Sequence, residues 1–269
     1  TSTEEPSILY SYDGYGGGEY GGGGDEYGGT STTLPFDSME IDGVKQSVLS
    51  NVYTFDTVGE HVVKYILTVN SEGETTLPKE LFTDTASITE IIIPKCVSKV
   101  YSKTFAGTNR DSLNTITVMN ENEYYDSRDN CNAIIDKLNN TLVLGCKNTV
   151  IPNTVTTIGE EAFAWCDSLT SVTIPDSVTR IDTNAFYGCS NITSVTIPNG
   201  VTSIGSWAFC DSESLSSVTV EAVTPPTLSF SVFGGIGGVP IFYVPSESVE
   251  AYKAATNWST YADKIQAIQ

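Results

Sequence analysis

The chain has 269 residues, 39% of them hydrophobic, which is enough to build a core, and no apolar run approaches the roughly 18 residues needed to span a bilayer. A net charge of −20 and a pI near 4.1 argue against nucleic acid and anionic membrane surfaces as partners, since both require basic patches that displace counterions. Six cysteines without metal-ligand spacing, together with a single histidine, do not make a zinc site.

No secretory leader is legible at the front, where Thr1 fits the start of a processed or truncated chain. Residues 1–33 are dominated by glycine, tyrosine and acids, and nine acidic residues but no basic one occur in residues 1–44, ahead of Lys45. Glycine loses the most conformational entropy on ordering, so this stretch reads as a flexible, self-repelling tether, with a tyrosine-lined sticky segment as the alternative. No Gly-Lys-Ser/Thr follows the glycines, which excludes a phosphate-binding loop. Residues 34–75 turn to a strand pattern, clearest from His61 to Val69, and are expected to form a small β cap over an open apolar end. His61, a lone ring in a strand, reads as a packed or surface residue.

From residue 76 a repeat takes over and runs to residue 245. Phe82, Ile88, Ile91, Ile93 and Pro94 set its first turn, Val97, Val100 and Phe105 continue it, and Leu113, Ile116 and Val118 mark the next strand. Between residues 119 and 147 the period breaks, and Cys131–Ile135 and Thr141–Cys146 flank an asparagine-rich turn, predicting an inserted hairpin that projects from a coil or enlarges it. Such a hairpin sets Cys131 opposite Cys146, either bridged or as two packed thiols. The acids Glu121, Glu123, Asp126 and Asp129 form an oxygen-rich loop that reads as a solvated run, with calcium binding as the alternative.

The repeat is cleanest from Ile151 to Val220, where one sentence is spelled three times. Pro152, Pro175 and Pro198 are 23 residues apart, as are Phe163, Phe186 and Phe209, and Leu169, Ile192 and Leu215. A fixed period in the twenties marks a solenoid in which each coil touches only its neighbours. One coil offers about eight inward positions, among them Val155, Ile158, Ala162, Phe163, Cys166, Leu169, Val172 and Ile174, too few to repay the entropy of ordering it alone. The spacing Leu169-x-x-Val172-x-Ile174 is a leucine-rich strand signature, ended by a proline that has no N–H to offer a ladder. A second short strand follows, then Gly159, Asp182 or Gly205 leading into a short helical turn that holds Ala-Phe. Cys166 and Cys189 share a phase and are expected to stack as reduced small apolar residues, with a disulfide between adjacent coils as the alternative.

A last coil reappears one residue late at Phe233, Val239, Phe242, Val244 and Pro245. Residues 246–269 then predict a helical cap, with Ser246 at the helix start and Val249, Tyr252 and Ala255 on one face. The expected fold is thus an α/β repeat solenoid of leucine-rich coils with a β cap in front and a helical cap behind.

By the two-residue strand period, Ser171 and Thr173, Ser194 and Thr196, and Ser217 and Thr219 point outward. They form a hydroxyl strip that reads either as a partner-binding face or as an ordinary solvated face. No nucleophile elbow, metal motif or triad is present, so neither an enzyme nor a cofactor site is expected.

The segments IPDSVTRIDTNAFYGCSNITSVTIP, YYDSRDNCNAIIDKLNNTLVLGCKNTVIP, GEHVVKY and VPSESVEAYKAATNWSTYADKIQAI resemble the BspA-type leucine-rich repeat proteins of anaerobic gut and oral bacteria. The resemblance covers residues 34–269. It implies an exported protein, at the cell surface or secreted, with an N-terminal lipid anchor as its one expected hold on a membrane; the chain itself is expected to be a monomer. It further implies adhesion to host matrix proteins such as fibronectin and fibrinogen, with a surface glycan or a purely architectural spacer role as the alternative.

Overall fold

The computed structural model describes residues 7–14, 36–46, 59–67, 69–77, 88–105 and 110–269, and divides into two units, residues 1–126 and 127–269.

In the first unit, six strands form one sheet in the spatial order Val44–Lys45, Phe36–Ile41, Gly59–Leu67, Ser7–Gly14, Ile88–Ile93 and Thr115–Val118. The first four pair antiparallel. Ile88–Ile93 and Thr115–Val118 pair parallel, with Glu90 opposite Thr115, as expected of successive coils. Ser7–Gly14 lies within the stretch read as a tether, and that reading is corrected for these eight residues. Their sequence, SILYSYDG, is rich in β-favouring aliphatic and aromatic residues, a signal masked when composition is averaged over the glycine runs that follow. Residues 15–35, and Phe82 of the expected first coil, lie outside the described residues. His61 sits in the strand Gly59–Leu67, and its side chain lies outside the described set.

The anticipated inward positions of this unit are buried: Ile88, Ile91, Ile93, Val97, Phe105, Leu113, Ile116 and Val118. Asn122, also buried, ties the second coil to the first. Its Nδ2 donates to the carbonyls of Pro94 and Val97 at 2.8 and 3.0 Å, and its Oδ1 accepts from the N–H groups of Tyr124 and Tyr125. Every polar atom of the amide is thereby used, as burial demands.

In the second unit the repeat is laid down in register. Thr157 pairs with Arg180 and Arg180 with Ser203, a step of 23 residues, and Ser203 pairs with Thr227, a step of 24. The one-residue delay read from Phe233 onward is therefore an enlarged last coil. Val155, Val178 and Val201, Ile158, Ile181 and Ile204, and Leu169, Ile192 and Leu215 form columns of buried residues. Phe163, Phe186, Phe209 and Phe233 stack face to face, with centroid separations of 5.1, 5.0 and 5.6 Å and interplanar angles of 5°, 6° and 10°. Val239 departs from its expected inward place and is exposed, while Ile236 packs against the core instead.

The hairpin is present as Ile134–Asp136 and Thr141–Leu144. It neither projects nor simply swells a coil, because Thr141 and Leu142 pair parallel with Thr157 and Ile158, making it the continuation of the short-strand sheet. All six cysteines remain thiols. Cys189 Sγ reaches the Phe163 carbonyl at 3.1 Å, and Ser212 Oγ, one coil on, reaches the Phe186 carbonyl at 3.2 Å. This column therefore supplies hydrogen bonds between coils as well as apolar packing.

The helical turn around Ala-Phe is corrected in this unit. Glu161, Phe163 and Trp165 donate their backbone N–H groups to the carbonyls of Thr183, Ala185 and Tyr187 in the next coil. Asn184, Phe186 and Gly188 donate likewise to Ser206, Ala208 and Cys210. The intervening N–H groups of Ala162 and Ala164 close tight turns on Gly159 and Glu161. A helix would spend these donors within the segment, whereas here every second one is aimed at the neighbouring coil. Two left-handed residues per coil make this possible: Glu161, Asn184, Trp207 and Ser231 in one row, and Trp165, Gly188, Asp211 and Gly235 in the other.

At the end of the chain, the helix Val249–Ala254 and the 3-10 turn Ser259–Lys264 carry side chains back to the last coil. Tyr252 Oη donates to the Ala222 carbonyl and Trp258 Nε1 to the Pro226 carbonyl, both at 2.7 Å, and Asn257 Nδ2 donates to Leu228. The Tyr261 hydroxyl pairs with the backbone of Phe233.

Candidate binding face

Four strands of the second unit form a parallel sheet in the order Ser194–Ile197, Ser217–Val220, Ile241–Val244 and Ile265–Ala267. The first three alternate by the strand period. Val195, Ile197, Val218, Val220, Phe242 and Val244 are buried beneath it, which forces the intervening residues to the other side. Ser194 lies beside Ser217 and Thr196 beside Thr219, so these four predicted site residues form two registered rows.

Ser171 and Thr173 are exposed on the same alternation, above a partly buried Val172 and a buried Ile174, yet their segment is not a strand and they are not joined to the rows by a backbone ladder. The coil before them is short: Thr141 pairs with Thr157, sixteen residues on, and residues 145–151 supply no strand at this position. The sheet therefore begins at Ser194.

The rows extend further than the hydroxyl pattern reveals. Ser217 is followed by Ile241, and Thr219 by Tyr243 and then Gln266. The face thus grades from small hydroxyls to an aromatic ring and an amide. A search for a repeated Ser-x-Thr misses these last positions, because they carry Ile241, Tyr243 and Gln266 in place of hydroxyls, and the enlarged final coil shifts the first two by one residue.

A second set of exposed groups lies on the left-handed turns. Trp165, Trp207 and Phe230 are 49%, 40% and 69% exposed. Trp165 meets Tyr187 edge to face at 4.9 Å, and Trp207 meets Phe230 at 5.9 Å. The Tyr187 hydroxyl donates to the Asp211 carboxylate, and this bond pushes its pKa up to about 12. Burial and the same carboxylate also raise the Cys210 thiol, which keeps it protonated and a poor nucleophile. Where the short strand Arg180–Ile181 leads into its turn, Arg180 and Asp182 form an ion pair at 3.0 Å, and burial raises the Asp182 carboxyl against the opposing pull of Arg180.

Among the described residues, no three His, Cys, Asp or Glu side chains come together to hold a metal ion, the loop acids Glu121, Glu123, Asp126 and Asp129 included. No helix among them is long and apolar enough to cross a membrane.

Parallel coils stacked in register, each giving a short strand to a common sheet above a column of buried aliphatic side chains, define a leucine-rich repeat protein. The BspA type leucine rich repeat region matches in six copies, over residues 75–143 and 141–248, and the chain belongs to that family. A leucine-rich repeat protein of Eubacterium ventriosum ATCC 27560 is 24% identical, aligned over 65% of this chain and 49% of its own, with a TM-score of 0.46. The pneumococcal vaccine antigen PcpA is 17% identical over 75% of this chain and 60% of its own, with a TM-score of 0.47. A leucine rich cell surface protein of Faecalibacterium prausnitzii A2-165 is 22% identical over 65% of this chain and 50% of its own, with a TM-score of 0.42. This chain therefore spans less than two thirds of each of these proteins. No curated protein matches it significantly.

Proposed function

We propose that the chain is a non-enzymatic protein-binding module, displayed at a bacterial cell surface or secreted, that adheres to host extracellular-matrix glycoproteins through the sheet beginning at Ser194. The N-terminal strands and the C-terminal helix and turn serve as the caps of the repeat. One observation supports this reading above others. In a protein of net charge −20, the outward positions Ser194, Thr196, Ser217, Thr219, Ile241, Tyr243 and Gln266 carry no charge. A neutral, hydroxyl-bearing surface with an aromatic ring at one end is cheap to desolvate and offers hydrogen bonds to a partner's backbone, whereas a solvated acidic surface would repel most proteins.

The test is binding of the purified chain to immobilised fibronectin and fibrinogen, repeated with S194K and T196K together. Lysines there place two ammonium groups in the contact, and a loss of at least tenfold in affinity is expected. Unchanged binding removes the face from the site. Absence of binding to any matrix protein leaves an architectural spacer as the better account.

A further inference from the structure

We propose that the turn face carrying Trp165 and Trp207 is a second, separate binding site, and that it takes a neutral polysaccharide. The first ground is conformational. Trp165 has φ 60° and Trp207 has φ 56°, in the left-handed region that bulky L residues avoid. The fold does not ask for tryptophan at either place. In neighbouring coils the first row is filled by Glu161, Asn184 and Ser231, and the second by Gly188, Asp211 and Gly235, residues smaller or better suited to that backbone. Two large rings therefore stand where the repeat would be easier to build without them, and both remain exposed to solvent.

The second ground is how the rings are seated. A Cβ at Gly188 would lie 2.6 Å from Trp165 Cε3 and 3.0 Å from Cζ3, so only a glycine in the next coil lets the six-membered ring settle there. Tyr187 supports the same indole edge to face. Tyr187 is in turn held by its bond to Asp211, so the platform is braced before any ligand arrives. Rigid, supported aromatic surface binds at low entropic cost.

The third ground is charge. The four turn segments, residues 160–168, 183–191, 206–214 and 229–237, contain acids, amides and hydroxyls but neither lysine nor arginine. Sulfated, phosphorylated or uronic-acid polymers would find no cation there. Sugar hydroxyls are donors that suit carboxylate and amide oxygens, and the C–H face of a pyranose packs on an indole. A basic peptide would also tolerate acids, but two of the carboxylates are already engaged, Asp211 by Tyr187 and Asp167 by Ser190. Both carboxylates keep their charge, and what favours the neutral polymer is the pair of exposed indoles, which the C–H faces of sugar rings can cover.

The experiment is affinity electrophoresis of the full chain through gels containing a neutral β-glucan, xylan or galactomannan, with tryptophan fluorescence recorded in the same polymers. Two variants borrow residues that the repeat already uses at these phases: W165G, as at Gly188 and Gly235, and W207N, as at Asn184. Retardation by at least one polymer with a fluorescence change is expected, and each variant should weaken it at least tenfold while the melting temperature holds or rises. Buried Trp258 supplies the constant background signal. Retardation by none of the polymers overturns the proposal, as does retardation that both variants leave intact. A clear fall in melting temperature for W165G and W207N makes the rings structural and also overturns it. Binding of polylysine, abolished by the same variants, would assign the face to basic peptides instead. The matrix-protein reading is tested at Ser194 and Thr196 and stands or falls separately.

Discussion

The stack of phenylalanines makes a prediction that separates a nearest-neighbour repeat from an ordinary globular core. Phe186 is fully buried, with Phe163 on one face at 5.1 Å and Phe209 on the other at 5.0 Å, both nearly parallel to it. Truncating it to alanine removes the ring's burial and leaves a cavity between two coils, so F186A should cost about 3–5 kcal/mol. Leucine keeps most of the burial but loses the stacking. In double-mutant cycles, F163L with F186L should therefore couple by about 0.5–1.5 kcal/mol, and F186L with F209L likewise. Phe163 and Phe209 are two ring spacings apart with Phe186 between them, and F163L with F209L should be additive to within about 0.5 kcal/mol. The assay is urea denaturation at equilibrium, with midpoint and slope followed for each variant, since a changed slope would mean that the coils no longer unfold together. Coupling between Phe163 and Phe209 as large as that between adjacent rings would refute the claim that each coil is stabilised only through its neighbours.

A Cβ at Gly145 would lie 2.3 Å from Phe163 Cε1, so G145A should destabilise by about 1–3 kcal/mol, and F163L in that background should recover part of the loss in thermal melts. N122A strands the Pro94 and Val97 carbonyls and two N–H groups, and should cost roughly 2–5 kcal/mol by urea titration; N122D should fare little better, because a carboxylate cannot donate to those carbonyls. The Tyr187 phenol has its pKa raised from 10.0 to about 12, so its bond to Asp211 stabilises fully below pH 10 and is lost as pH climbs through about 12. Wild type should thus lose more stability than Y187F over that window, and phenolate absorbance should show one high-pH transition fewer in the variant.

What could be read from the amino acids follows from what must repeat. Columns such as Ile158, Ile181 and Ile204 need the same shape in every coil, so period, core and the outward direction of Ser194 and Thr196 were all legible. The left-handed turns were not, because a backbone conformation can be satisfied by Glu161, Asn184, Trp207 or Ser231, which share no obvious property. The strand expected at Leu169–Ile174 kept its alternation and lost its ladder, since hydrogen bonding depends on what the neighbouring coil supplies, and the shortened coil supplies none. The hairpin was expected, but its first strand runs over Ile134–Asp136 and not Cys131–Ile135, its second stops at Leu144, and its attachment was hidden: nothing local in Thr141–Leu144 says that the next partner will be parallel and sixteen residues on. Trp165 and Trp207 escaped notice for the opposite reason to the core, since comparing coils discards whatever occurs only once.

The forward-pointing amides of the turns give the stack a polarity, like a row of hooks all facing the same way. Such a row has no intrinsic stopping point, and whatever follows the final hook decides whether the array ends or recruits another molecule. Past the last coil, Tyr252, Trp258 and Asn257 donate to the carbonyls of Ala222, Pro226 and Leu228, and of the hooks themselves Phe233 is met by the Tyr261 hydroxyl. Cutting the chain after Pro245 would remove all four and uncover the last coil, and the truncated chain should then self-associate through that end, so that sedimentation becomes concentration-dependent. That truncation tests whether residues 246–269 keep a self-templating geometry finite.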